Sequence, residues 1–187
     1  SKSFGFWASL HPYSRNFASQ KRLQGQYTHS AIWAIIAEAM LGKGDKAVEL
    51  YKMITPIEHA KTKESANKYK VEPYVLAADV YGAQNLAGSG GWTWYTGSSS
   101  WYYLAGVQYI LGLNIYHNTM SFNPCVPKCW NEFEIKYKFR DSIYNIVVKN
   151  PDGKNTGISK VLIDGVEHEN KIVLDGSGSV FKVEVIM

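Results

Sequence analysis

Charge of one sign is scarce in this 187-residue chain. Twenty Lys and Arg stand against sixteen Asp and Glu, a formal net charge of +4. The densest basic group, His59 to Lys70, is diluted by Glu58 and Glu64. That scatter lacks the concentrated basic stripe of nucleic-acid recognition, so no nucleic-acid partner is expected. Only two cysteines occur, Cys125 and Cys129 in "NPCVPKCWN", and His117 stands alone nearby. No second Cys or His pair completes a zinc site, which leaves two free thiols, no metal, and nothing that demands an oxidising compartment. No run approaches the ~18 apolar residues of a membrane span, and the N-terminus has no signal-peptide h-region. The expectation is a cytoplasmic chain, associated with a membrane only through an upstream part. The opening "SKSFGFW" has no initiator Met, as in the tail of a longer protein, a processed product or a trimmed chain. A P-loop, a Rossmann fingerprint and a Ser-His-Asp motif are all missing. So is a convincing pair of carboxylates such as hydrolysis of a glycoside requires.

Aromatic residues are plentiful instead: six Trp, thirteen Tyr and seven Phe in a chain that is 45% hydrophobic. This composition indicates a folded globular protein. The aromatics suit either a large core or a surface on which flat ligands stack. Residues 1 to 26 fit neither helical nor strand periodicity and read as loop. "THSAIWAIIAEAMLG" predicts a helix with Thr28 or Ser30 as N-cap and Gly42 as its stop, apolar on most faces. "GDKAVELYKMITP" predicts a second, ended by Pro56. Glu58 to Lys70 reads as a polar surface excursion, and "VEPYVLAADVYG" as a short helix or extended segment. Ser98 to Leu113 predicts a third helix, in which Gly106 costs about 1 kcal/mol of propensity.

Beyond Asn114 the period changes. "FEIKYKFR" alternates strictly between Phe133, Ile135, Tyr137, Phe139 and their charged neighbours, the mark of a half-buried antiparallel strand. Further strands follow, with Asp152-Gly153, Asp164-Gly165 and Asp175-Gly176 at hairpin spacing. The expected class is α+β, helices first and a small antiparallel β-sandwich-like domain second. The boundary falls between about 115 and 125 and is set at 118/119, giving domains 1–118 and 119–187. Three largely apolar helices cannot cover one another, so they require helices from outside this chain or an obligate partner.

The segment "GGWTWYTGSSSW" carries the main candidate site. A helix beginning near Ser98 leaves backbone N–H groups unpartnered in its first turn, an anion-binding arrangement. Thr96 and Ser98 to Ser100 add hydroxyl donors, Gly97 permits a close backbone approach, and "GSGG" could add an amide nest. An N-cap serine with no ligand role explains the same spacing. His29, just inside its own helix, could donate to a phosphate oxygen or be satisfied by a carbonyl. Glu72, restrained by Pro73, could accept from sugar hydroxyls or cap a turn, and Asp79 is similar.

Four segments together carry a resemblance: "QYTHSAIW", "VEPYVLAADVYG", "GGWTWYTGSSSWYYLAGVQYILGLN" and "NPCVPKCWNEFEIKYKFRDSIYNIVVKNP". In this order, over about residues 24 to 187, the sequence resembles the C-terminal part of glycoside hydrolase family 94, the cellobiose and chitobiose phosphorylase family. It looks most like the phosphorylase-like domain of cyclic β-1,2-glucan synthases. The resemblance implies the end of an (α/α)6 barrel ahead of the β domain. It also implies inverting phosphorolysis of a β-glucoside, with no cofactor and inorganic phosphate as co-substrate. His29 matches the family's phosphate-binding histidine. Thr96 and Gly97, with Ser98 after them, match its phosphate-binding helix start. Trp94 and Tyr95 would wall the sugar subsite beside Glu72.

Two departures bear on activity. The family's general-acid aspartate lies upstream of the matched region, so no catalytic residue is expected here. Arg22 stands where a sugar-binding Glu is expected, and an Arg cannot accept a hydrogen bond from a hydroxyl. Ala77 or Ala78 replaces the glutamine of cellobiose-type members, which favours the β-1,2-glucan branch. The expected function is therefore the phosphate and part of the sugar site of a β-glucan phosphorylase or cyclic β-1,2-glucan synthase, inactive alone. Its partners would be a β-glucan oligosaccharide, phosphate, and a second polypeptide if one supplies the rest of the barrel. The alternatives are a non-catalytic carbohydrate-binding or accessory protein, and a degenerate remnant.

Overall fold

The 3.6-residue spacing of Ile32, Ile35, Ile36 and Ala39 produces helix α1 (Thr28–Met40) in a computed structural model that describes residues 25–94 and 96–187. Those four side chains are buried, whereas Trp33 and Met40 stay exposed on the same helix. Gly42 ends it in a left-handed turn, φ +75°. Its N–H donates to the Ala39 carbonyl and that of Lys43 to Glu38, so two otherwise orphaned carbonyls are satisfied. Helix α2 (Gly44–Met53) follows at once. A Cβ on Gly44 would collide with the Val126 carbonyl, so only glycine lets this helix start lie against that strand-flanking segment.

The expected surface excursion over 58–70 is instead two short helices, α3 (Pro56–His59) and α4 (Lys63–Tyr69). Thr62 and Ser65 form a reciprocal capping box, and Lys70 closes α4 at φ 58°. Seven mostly polar residues carry no long apolar stripe, which is why periodicity missed them. The region 71–89 is mainly turns, with strand β2 (Asp79–Tyr81) between β1 (Gly25–Tyr27) and β3 (Gly90–Gly91) in one antiparallel sheet.

Helix α5 (Ser98–Leu104) does not run to Leu113 as an α-helix. It widens into a π-helical turn, Ala105–Ile110, in which Leu111 N–H donates to the Gly106 carbonyl five residues back. Gly112, φ +74°, then stops it. Tyr51 packs closely at Gly106: its hydroxyl oxygen lies 2.7 Å from where a Cβ would stand, and its ring stacks on Tyr102 with centroids 4.0 Å apart.

The strands that follow make the class α+β. Hairpin β4 (Leu113–Tyr116) and β5 (Thr119–Phe122) joins β10 (Ile172–Val173) in a three-stranded sheet. The expected division at 118/119 falls in the turn of this hairpin. A five-stranded sheet runs β6 (Glu132–Phe139), β7 (Ser142–Lys149), β11 (Val180–Ile186), β8 (Lys160–Ile163), β9 (Val166–His168). In β6 the charged residues are exposed and the apolar ones half-buried, as the alternation predicted.

The pairing of this region is antiparallel as expected except at one place: β11 pairs parallel with β7, and antiparallel with β8. The chain leaves β7, builds the β8–β9 hairpin, and returns to insert β11 between them. Of the three Asp-Gly dipeptides only Asp164-Gly165, both residues at positive φ, closes a hairpin. Asp152-Gly153 and Asp175-Gly176 lie in connections. Residues 25–31 with 54–99 form one compact unit, and 32–53 with 100–187 another.

Candidate functional site

His29, Glu72, Asp79, Trp94 and residues 96–99 all belong to the first unit. Thr28 fixes the geometry. Its N–H donates to the Ala78 carbonyl at 2.9 Å and its hydroxyl to the Ala77 carbonyl at 2.7 Å. The start of α1 is thereby tied to the edge of β2, and the next residue, His29, is held in place. The Tyr27 ring stacks on the imidazole, centroids 5.2 Å apart.

From the other side comes the start of α5. A Cβ on Gly97 would stand 3.7 Å from His29 Nε2, so two segments 68 positions apart in the chain meet, the imidazole edge against the bare glycine backbone. Thr96 Oγ1 accepts from the Ser98 N–H at 3.2 Å and lies 2.7 Å from Ser98 Oγ. The Ser99 hydroxyl donates to the Thr96 carbonyl. Ser98 itself is fully buried, so its hydroxyl holds Thr96 and does not line the surface. Neither 25–31 nor 96–100 contains an acidic residue, and the positive pole of α5 points from the same place. Hydroxyl, imidazole and amide donors in such a setting suit an oxyanion.

A second cluster lies across the turn that leads to Thr96. Trp94 Nε1–H donates to Glu72 Oε1 at 3.3 Å, and Tyr74 meets the Trp94 ring edge to face at 6.3 Å. Trp92 and Trp94 both adopt left-handed backbone, φ 54° and 68°, a conformation that bulky residues take only where the surroundings hold them there. Both indoles are more than 60% exposed, at 71% and 64%. Asp79, on β2 opposite Tyr27 and Gly91, has its carboxyl pushed above the ordinary range by burial. Tyr95 and Arg22 lie outside the described residues. Among the described residues no three His, Cys, Asp or Glu side chains gather as metal ligands.

Comparison with known proteins gives this geometry a context. Residues 13–112, more than half of the chain, match the model of the glycosyl hydrolase 94 superfamily catalytic domain. The chain belongs to the glycosyl hydrolase 94 superfamily. Residues 113–155 match the C-terminal domain of glycosyl hydrolase family 65, so the two matches meet where α5 gives way to β4. Cyclic β-(1,2)-glucan synthase NdvB of Rhizobium meliloti (strain 1021) is 41% identical over 124 residues, 66% of this chain and 4% of that protein. N,N'-diacetylchitobiose phosphorylase of Vibrio furnissii is 33% identical over 162 residues, 86% of this chain and 20% of the relative. Solabiose phosphorylase of Paenibacillus borealis is 29% identical over 188 residues, 94% of this chain and 24% of the relative. This family 94 chain thus spans a quarter or less of these relatives. None of its described helices is long and apolar enough to cross a membrane.

Three aromatics beside the candidate residues were not among the residues proposed from the sequence: Tyr27, Tyr74 and Trp92. Each was visible as an aromatic flanking a candidate, one beside the His29 helix start, one after Pro73, one after the glycine pair. What the sequence could not supply was their ring partners, which only the folded sheet and turns create.

Proposed function

We propose that this chain forms the phosphate-binding wall and part of the sugar-binding wall of a family 94 site, at the end of an (α/α)6 barrel. That site would carry out inverting phosphorolysis of a β-glucan, or the corresponding glucan-synthase chemistry. Phosphate would attack the anomeric carbon while the glycosidic oxygen leaves with a proton from an acid on the opposite face. Because phosphate is itself the nucleophile, one protein acid suffices. That acid would lie upstream of the matched region, and on this reading the chain alone would not turn over substrate. The observation that carries this reading is the approach of His29 Nε2 to Gly97, beside a Thr96 hydroxyl held at the helix start. His29 would donate to one phosphate oxygen and Thr96 to another, with Gly97 leaving room for the anion. Glu72, Trp94 and Tyr95 would face the sugar.

The test is a titration of the chain with inorganic phosphate, followed by the imidazole nitrogen shifts of His29. A saturable shift is expected, with binding weakened roughly tenfold or more by His29→Ala or Thr96→Val, as for lost hydrogen bonds to a charged group. An unshifted His29, or unchanged affinity in both variants, would overturn the reading. The exposed Trp92, Trp94 and Tyr74 favour a second reading, a carbohydrate-binding protein without catalysis. Glucan binding that quenches tryptophan fluorescence equally with and without phosphate, combined with a silent His29, would select it.

A further inference from the structure

The three-stranded sheet of β4, β5 and β10 buries Met120, Phe122 and Ile172 on one side. By strand alternation its other side presents Thr119 and Ser121, with Tyr116 opposite Thr119. A groove of about 340 Å³ runs over that side, between the His117-Asn118 turn and Asn170-Lys171. Its volume falls at the low end of small-ligand sites, roughly 300–1,000 Å³. All of its lining belongs to the second unit, whereas His29 and Thr96 belong to the first.

Two features make this more than the wet side of a sheet. Tyr116 is 76% exposed, yet its ring is in edge contact with that of His117, centroids 4.3 Å apart, and His117 sits in left-handed backbone at φ 54°. The far rim is rigid as well. Asn170 Nδ2 donates to the Phe122 carbonyl at 2.7 Å and Asn170 Oδ1 accepts from the Phe122 N–H at 2.8 Å. An oriented aromatic face beside hydroxyls, an amide and one ammonium, with no carboxylate in the lining, fits a neutral polyhydroxylated ring. Such a ring offers C–H groups to the aromatic face and O–H groups to the polar rim.

We propose that this groove is a second carbohydrate subsite, in which a glucan residue lies on Tyr116 and hydrogen-bonds to Thr119, Ser121 and Lys171. The choice of glucan rests on the functional reading above; the groove's chemistry stands without it. The two are separated by titrating one amide- and imidazole-labelled sample of the full chain, first with a β-1,2-linked glucose pentamer and then with inorganic phosphate. Shifts at Tyr116, Thr119 and Ser121 are expected with the pentamer. Tyr116→Ala should weaken that response roughly threefold to tenfold, the worth of an aromatic stacking contact, while Tyr116→Phe preserves it at unchanged melting temperature. Pentamer shifts confined to residues 72–97, no shifts at all, or equal affinity in the alanine variant would overturn the groove. A phosphate response at His29 without a groove response sinks this inference alone. The converse leaves the groove standing and removes the phosphorylase reading.

Discussion

Gly97 is exposed, has no positive φ, and would place a Cβ only 3.7 Å from His29 Nε2. Alanine therefore fits the fold but occupies the space through which an anion would reach the imidazole. Gly97→Ala is expected to cost about 1 kcal/mol or less of stability, as for alanine near a helix cap. It should weaken phosphate binding roughly tenfold, the scale on which a site rejects one extra carbon. Thermal melts beside a phosphate titration would check both numbers. Equal losses in the two measurements would point to a structural role for Gly97. At this scale the placement of the candidates was legible: His29, Thr96 and Gly97 stand at helix starts, where backbone donors gather. The fate of Ser98 was not, because which of three consecutive serines turns inward depends on the packing of α5. Nor was the bond from the Trp94 indole to Glu72, because Trp94 stands in a left-handed backbone that bulky residues rarely adopt.

Among the elements, the π-helical turn departs furthest from what periodicity gives. A Cβ on Gly106 would lie 2.7 Å from Tyr51 Oη. Overpacking of that kind costs about 1–3 kcal/mol, against roughly 1 kcal/mol of helix propensity gained, so Gly106→Ala should destabilise the chain. In a Tyr51→Phe background the nearest atom is gone and the next, the ring Cζ, is at 3.2 Å. The double variant should then recover part of the loss, a non-additivity that chemical denaturation of the four proteins would reveal. Strictly additive effects would deny the Tyr51 hydroxyl a part in the cost at Gly106. The long elements α1, α2 and β6 were readable because each repeats one period over eight or more residues. Helices α3 and α4 were not, since four and seven residues give too few repeats. The hairpin turns at His117-Asn118 and Arg140-Asp141 contain no glycine, so composition concealed them although His117 and Arg140 both sit at positive φ.

Over the whole molecule, the change to strand-rich structure after Asn114 was legible, but the sheet of β1, β2 and β3 among the helices and the way distant segments bind were not. Asp45, at the start of α2, accepts from Asn155 Nδ2 at 2.8 Å and from the Lys128 N–H at 3.2 Å. It thus ties a helix to two loops of the β region within the second unit. The Asn155 hydrogen bond first, and then Lys128, hold its carboxyl below the ordinary 3.8. A depressed folded value means the stabilisation is present above 3.8 and fades as pH falls through that lower value. Asp45→Ala should therefore melt earlier than the parent at neutral pH, with the gap narrowing in strong acid. A gap independent of pH would deny the carboxylate this role.

The placement of β11 bears on how the chain refolds. The β6–β7 and β8–β9 hairpins are each local in sequence, yet the inner edge of each is covered only by 180–186. Until that segment inserts, two edges rich in Val and Ile stay open, a standing invitation to mispair with neighbouring chains. Soluble recovery from denaturant should therefore fall as chain concentration rises, and Val183→Ala, which weakens the inserting strand, should steepen the fall.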